Sequence, residues 1–244
     1  MSIPAPDLPV PAKVRALAGA AELTPVWIND YGGVTFRATD AGGIRFIKLH
    51  PHNPEWSAAG EAERLRWAAR YTPVPRALEA GRDTTHEWLV TEGVRGESAV
   101  SPRWLADPAR AVRAIGEGLR AMHESLPVAE CPFRWDVPER LANAAARGIR
   151  LPDALLEPPP VDRLVVCHGD ACAPNTLMTD AGTWCGHVDL GSLGVGDRWA
   201  DIAVAGMSLE WNYGPGWEDA LLAAYGIDPD PERMQYYRAL WNAT

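Results

Sequence analysis

His168-Gly169-Asp170, followed by Asn175 and then by Asp189-Leu190-Gly191, sets two carboxylates and an amide in polar stretches that directly follow short apolar runs. These are the groups that magnesium-dependent phosphoryl transfer needs: an acceptor for the proton of the attacking hydroxyl, oxygen ligands for a metal, and a cation on the phosphates. Asp170 is the candidate proton acceptor. Asn175 and Asp189 are candidate magnesium ligands, because that ion takes carboxylate, amide, water and phosphate oxygens. Each alone reads as an ordinary turn residue; only together do they specify a chemistry. The cation lies earlier in the chain. Lys48 ends the run Arg45-Phe46-Ile47-Lys48, and Glu61 stands on a following helical stretch, where a Lys–Glu pair can hold the lysine for the phosphates.

The elements that position these groups are legible in outline. Pro4, Pro6, Pro9 and Pro11 deny a helix its donors, so residues 1–12 are expected to be a disordered, extended start. Residues 26–49 read as antiparallel hairpins, with Thr35, Phe36, Ile44, Phe46 and Ile47 between the turn signals Gly32-Gly33 and Gly42-Gly43. A helix is expected over 57–70, N-capped by Ser57, and a strand over 87–92. Gly93 and Gly96 mark a hinge at 93–100 between a nucleotide-binding unit at 13–92 and a catalytic, substrate-binding unit at 101–244. Trp104, Ala111, Ile115, Leu119 and Met122 recur at helical spacing, which predicts one amphipathic helix over 103–125. Strands at 164–167 and 186–188 lead into His168 and Asp189, and helices are expected at 197–211, 216–226 and 231–243. The fold class is α+β: a small antiparallel β-rich lobe followed by a larger helical lobe.

Composition narrows the partners. A formal charge of −9 repels a nucleic-acid backbone and attracts a cationic small molecule. Cys131, Cys167, Cys172 and Cys185 form no CxxC pair, which argues against a disulfide framework or a zinc ribbon and for a reducing, cytoplasmic setting. No apolar run approaches the roughly 20 residues that span a bilayer, so no membrane partner is expected. No Gly-x-x-x-x-Gly-Lys-Ser/Thr string occurs, and Gly191-Ser-Leu-Gly-Val-Gly196 has the wrong glycine order for a dinucleotide fingerprint.

The segment from Val166 through His168, Asp170 and Asn175, continuing from Val188 through Asp189, Asp197 and Asp201 to Ala203, resembles the signature of the aminoglycoside 3'-phosphotransferase (kanamycin kinase) family, enzymes with a two-lobed protein-kinase-like fold. The similarity extends to Arg45–Lys48, Glu61–Trp67, Pro73-Val74-Pro75, Trp88–Glu92 and Leu126–Phe133. The resemblance implies an ATP- and Mg2+-dependent transferase that phosphorylates a hydroxyl of an aminoglycoside antibiotic and confers resistance, acting as a monomer or weak dimer. It implies that Asp170 is the catalytic base, that Asn175 and Asp189 hold magnesium, and that Lys48, oriented by Glu61, contacts the α- and β-phosphates. Phe46 matches the ring that stacks on the adenine, and Thr91 and Gly93 match the hinge whose main chain binds the adenine edge. His168 and Asp201 are expected to brace the catalytic loop, and Arg198 to pair with a carboxylate.

The chain departs from the family pattern around the acceptor. The turn Asp30–Thr35 lacks the usual serine, Ser192 replaces an arginine, and the segment from Phe133 to His168 is short. Trp211, Asn212 and Trp241-Asn242-Ala243-Thr244 stand where acidic or terminal aromatic residues are expected. Glu210, Trp211, Asn212, Trp241 and Thr244 are the candidate substrate residues, with Glu210 and the Thr244 carboxylate supplying negative charge. Two alternatives stay open on the residues: a kinase of another small hydroxylated metabolite or a peptide antibiotic, and a non-catalytic nucleotide-binding module of the same fold.

Overall fold

In the computed structural model, residues 4–5, 7–29, 31–54 and 56–244 are described. Positions 1–3 and 6 of the expected disordered segment, and Asp30 of the expected turn, lie outside them. The chain divides into two compact units, one running to Arg70 and resuming at Val74–Val94, the other comprising Tyr71–Pro73 and Arg95–Thr244.

The first unit holds α1 (Ala12–Ala18), β1 (Glu22–Ile28), β2 (Val34–Asp40), β3 (Gly43–Pro51), α2 (Ala58–Ala68), β4 (Ala77–Arg82) and β5 (His86–Glu92). Its strands form a five-stranded antiparallel sheet in the order β1-β2-β3-β5-β4. Strand side chains alternate between faces. Phe36, Ala38, Ile47, Leu49 and Val90 therefore share one face, where they form a core with Val14 and Ala18 of α1. Phe46 and Lys48 take the other face, opposite Thr91 and Leu89 in register. Helix α2 packs on β4 and β5, and Ser57 caps it by accepting from the Gly60 N–H at 3.3 Å.

The second unit contains β6 (Glu97–Ser98), α3 (Pro102–Leu105), α4 (Pro108–Ser125), α5 (Val137–Ala146), β7 (Leu164–Cys167), β8 (Thr176–Met178), β9 (Trp184–His187), β10 (Gly194–Asp197), α6 (Trp199–Tyr213), α7 (Glu218–Tyr225) and α8 (Pro231–Ala243). Helix α4 packs on α7 and α6 on α8, around a core that includes Trp104, Ile115, Leu119, Met178, Trp199, Ile202 and Tyr237. Strand β7 pairs with β10, while β6, β8 and β9 form a separate small sheet.

Several expectations are corrected. The single helix over 103–125 is two helices, because Pro108 has no N–H to continue the first, and the Asp107 carboxylate instead accepts the Arg110 N–H at the start of the second. Within the segment expected to be disordered, Leu8 and Val10 pack against the α1 core, and Ala12 already begins a helix. Within Gly191–Gly196, Gly194 serves packing: a Cβ there would lie 2.5 Å from the Arg134 carbonyl carbon, where 134 and 195 bridge in parallel.

Candidate active site

The two strands of the second unit expected to deliver polar groups do so from different sheets. Strand β7 ends at Cys167, immediately before His168, and β9 ends at His187, two residues before Asp189. The loop between them is fixed from several sides. The Asp201 carboxylate of α6 accepts the N–H groups of His168 (2.5 Å) and Gly169 (2.9 Å). The Ser208 hydroxyl, also on α6, accepts the Ala173 N–H at 2.8 Å, and the Ser98 hydroxyl donates to the Pro174 carbonyl at 2.8 Å. His168 lies 2.9 Å through Nε2 from the Val188 carbonyl and 3.2 Å through Nδ1 from the Asp170 N–H. Nε2 therefore carries the ring proton and Nδ1 accepts, so the imidazole ties both halves of the site together. Gly169 has φ 85°, and a Cβ there would stand 2.3 Å from the Ser192 carbonyl oxygen, so only glycine fits this approach.

This frame brings Asp170, Asn175 and Asp189 together. The Asn175 amide donates to the Asp170 main-chain oxygen (2.9 Å) and to its Oδ2 (3.1 Å), while the Val188 N–H donates to the Asn175 carbonyl at 3.0 Å. Asp189 adopts φ 65°, an unusual left-handed conformation for a residue other than glycine. The Oδ1 atom of Asp170 is buried without a hydrogen-bond partner. Burial pushes the Asp170 carboxyl above its ordinary value and the charge of Asp189 adds to this, against the opposing pull of the Cys172 thiol, His168 and the Asn175 amide. A part-buried carboxylate with one desolvated oxygen is poised to accept a proton.

Among the described residues no group of three or more His, Cys, Asp or Glu side chains is placed for a metal ion. The oxygen donors here nevertheless fit magnesium, which takes one or two protein ligands and completes its shell with water and phosphate. Asn175 turns its NH2 toward Asp170, which leaves its amide oxygen as the atom for such a role.

Asp201 itself is held from behind. Burial would raise its carboxyl, but the His123 hydrogen bond and charge and the loop amides outweigh that and hold it below its ordinary value. His123 Nε2 is 3.0 Å from the carboxylate, and its Nδ1 is 2.8 Å from the Tyr225 hydroxyl. His123 and Ser208 are absent from the sequence expectations. The available signal was a histidine on the apolar face of α4, one residue beyond Met122. Arg198, expected to pair with a carboxylate, meets that of Asp162 at 2.6 Å.

In the first unit Lys48 Nζ lies 2.7 Å from Glu61 Oε1, and the Trp56 indole donates to the other oxygen, Oε2, at 2.6 Å. Glu61 is only 2% exposed. Phe46 is half-buried on the Lys48 face, and Thr91 is buried opposite it. The Gly93 N–H is already donated to the Ile44 carbonyl at 2.8 Å, so of its main-chain groups only the carbonyl can serve an adenine edge.

The candidate substrate residues fall at the ends of two helices. Glu210, Trp211 and Asn212 end α6, and Trp241 and Thr244 end α8, whose Arg238 reaches Glu210 at 3.7 Å and Glu218 at 2.6 Å. Trp211 is 59% exposed. Asn212 donates to the same Ser208 hydroxyl (3.2 Å) that holds the catalytic loop at Ala173. At Thr244, expected to supply negative charge, the main-chain oxygen accepts from Arg147 at 2.6 Å and the hydroxyl from Arg140 at 2.8 Å. A groove of about 520 Å³ lined by Leu155, Pro159, Glu232 and Tyr236 contains none of these residues.

A desolvated carboxylate beside an amide and a second carboxylate in the second unit, and a strand lysine paired with a helix glutamate in the first, are the groups of a kinase-like phosphotransferase. Residues 28–237 match the model of the phosphotransferase enzyme family, and the chain belongs to that family. An aminoglycoside 3'-phosphotransferase from Streptomyces ribosidificus is 38% identical over 244 residues, covering 87% of this chain and 91% of the relative. The crystal structure of an aminoglycoside-3'-phosphotransferase of type VIII superposes with a TM-score of 0.78 at 30% identity, over 95% of this chain and 97% of that one. Aminoglycoside phosphotransferase APH(3'')-Id from Streptomyces rimosus, solved with ADP and streptomycin, gives 0.71 at 28% identity, over 95% and 96%. The fold is thus the kinase-like α+β fold of the aminoglycoside phosphotransferases. Among the described residues no helix is long and apolar enough to cross a membrane.

Proposed function

We propose that this protein transfers the γ-phosphate of ATP to a hydroxyl of an aminoglycoside and thereby confers resistance to it. The observation that carries the reading is the buried, unpartnered Oδ1 of Asp170, set by Asn175 and His168 in a loop whose neighbour is Asp189. The names of the relatives, and the ADP and streptomycin bound by one of them, support the choice of donor and acceptor.

Asp170 Oδ1 aligns the acceptor hydroxyl and takes its proton as the oxygen attacks, while Oδ2 stays fixed by the Asn175 amide. Asn175 and Asp189 would hold magnesium, which when bound would neutralise charge developing on the phosphates. Lys48, fixed by Glu61, contributes positive charge to the same phosphates. Phe46, Thr91 and Gly93 receive the adenine. At the end of α6, Glu210 draws an ammonium group of the sugar, and Asn212 and Trp211 offer an amide and an aromatic face, which suits a ring bearing both cations and hydroxyls.

A coupled ADP-release assay with kanamycin, neomycin, streptomycin and a tuberactinomycin-type peptide as acceptors tests this, beside resistance of a susceptible host expressing the chain. Turnover and resistance with an aminoglycoside are expected. Turnover only with an unrelated alcohol or with the peptide replaces the acceptor class, and nucleotide binding with no turnover on any acceptor makes the chain a non-catalytic module.

A further inference from the structure

Glu61 uses both of its carboxylate oxygens. Oε1 meets Lys48 at 2.7 Å, and Oε2 accepts the Trp56 indole N–H at 2.6 Å. Trp56 lies outside α2, in the connection between β3 and that helix, so its contact adds a tether that the helix itself does not supply. Its ring stacks on His50 with centroids 4.2 Å apart and planes tilted by 30°. His50 is two residues beyond Lys48 on β3, on the same face of the strand. Its Nδ1 lies 3.4 Å from the Asn29 amide nitrogen. Asn29 organises the turn between β1 and β2, its Oδ1 accepting the N–H groups of Tyr31 (3.1 Å) and Gly33 (2.7 Å). The His50 ring closes on that turn so tightly that a Cβ on Gly33 would stand 2.7 Å from three of its atoms.

We infer that His50 and Trp56 are positioning residues that couple the β1–β2 turn to the Lys48–Glu61 pair, so that the turn and the phosphate-binding cation are set as one unit. The physical reason is the length of the lysine stem. A four-carbon chain has several rotamers, and a carboxylate that is itself free to turn would leave the ammonium poorly placed. A carboxylate gripped at its second oxygen by a rigid indole, itself stacked on a ring of the same strand, has one orientation. This deepens the phosphotransferase reading and rests on it for the nucleotide effect.

The test measures magnesium-ADP binding by calorimetry, steady-state constants for ATP and for the acceptor, and the NMR signal of the Trp56 indole N–H. Trp56→Phe keeps the stack on His50 and removes only the donor. Loss of one hydrogen bond to a charged group predicts about a tenfold rise in KM for ATP and in the nucleotide Kd, with the acceptor KM unchanged and the folded protein intact by thermal melting. Gly33→Ala should weaken nucleotide binding similarly through its collision with His50, and its penalty should shrink in a His50→Ala background. The indole N–H should be slow to exchange in the wild type and lose that protection in Glu61→Met, which keeps the side-chain length but offers no oxygen, a readout that needs no nucleotide. Nucleotide affinity equal to wild type in Trp56→Phe, additive effects of Gly33→Ala and His50→Ala, or an indole proton indifferent to Glu61→Met each overturns the coupling. A wild type that binds no nucleotide while its indole proton responds to Glu61 overturns the phosphotransferase reading and leaves the tether standing.

Discussion

Asp170 is a carboxylate whose two oxygens live in different surroundings: Oδ2 is fixed by Asn175 and Oδ1 is desolvated. Asp170→Ala should lower kcat by about two to four orders of magnitude, the scale for a positioned acid–base group, with magnesium-ATP affinity close to wild type in a direct binding measurement. The pH dependence follows from the same burial. A carboxylate base works deprotonated, and the Asp170 carboxyl is held above the ordinary carboxylate value, so with Asp170 in that role kcat/KM should fall as pH drops, with the limb displaced upward from that of a free aspartate. A rate that stays flat down to the free-aspartate range would mean that another group takes the proton. Asp189→Ala should weaken nucleotide binding in a magnesium titration while leaving metal-free nucleotide binding unchanged. His168, Asp170, Asn175 and Asp189 were legible as residues because their order and spacing are a local property of the chain. His123, Ser208 and Trp56 were not, because their partners lie 78, 35 and 5 positions away and their types are common in cores.

At the scale of elements, three helices are joined through one histidine: His123 of α4 reaches Asp201 of α6 through Nε2 and Tyr225 of α7 through Nδ1. Asp201 is fully buried and holds the loop amides, so stripping its histidine leaves a charge with fewer partners in a dry interior. His123→Ala should destabilise the protein by about 3 kcal/mol, the scale for breaking a buried pair, as read by denaturant unfolding. Asp201 is held below its ordinary value when folded, so its contribution is complete above the unfolded value of 3.8 and is lost as pH falls below that toward the folded one. Asp201→Asn should therefore flatten that acid-side loss. The helices at 57–70, 197–211, 216–226 and 231–243 were readable because caps and breakers bracket them. Short elements were not. Helix α1 has seven residues, too few for a periodic signal, and is held by Val14 and Ala18 against the sheet. Strand β4 reads Ala-Leu-Glu-Ala-Gly-Arg, with no β-branched residue, and becomes a strand because β5 offers it an edge. Pro108 carried the signal that splits the helix expected over 103–125, outweighed in the reading by an apolar spacing that continues across it.

For the whole molecule, a formal charge of −9 makes the two substrates respond oppositely to salt. An aminoglycoside is a polycation and is drawn to this surface, whereas magnesium-ATP is an anion and is repelled by it. Raising ionic strength from about 0.1 M to about 1 M shortens the Debye length from roughly 10 Å to 3 Å, which screens both effects. The acceptor KM should therefore rise several-fold over that range, on the order expected for loss of long-range attraction, while the ATP KM stays level or falls. Steady-state kinetics at matched pH, with each substrate varied against saturating partner, checks this. The comparison also separates acceptor classes, because an uncharged alcohol feels no net field and its KM would not follow salt. Charge near the acceptor residues should modulate the same slope. Glu210 shares Arg238 with Glu218, so Glu210→Gln should flatten the salt dependence of the acceptor KM and leave that of ATP as it was. An unaltered acceptor slope in that variant would place the cation's recognition elsewhere on the surface.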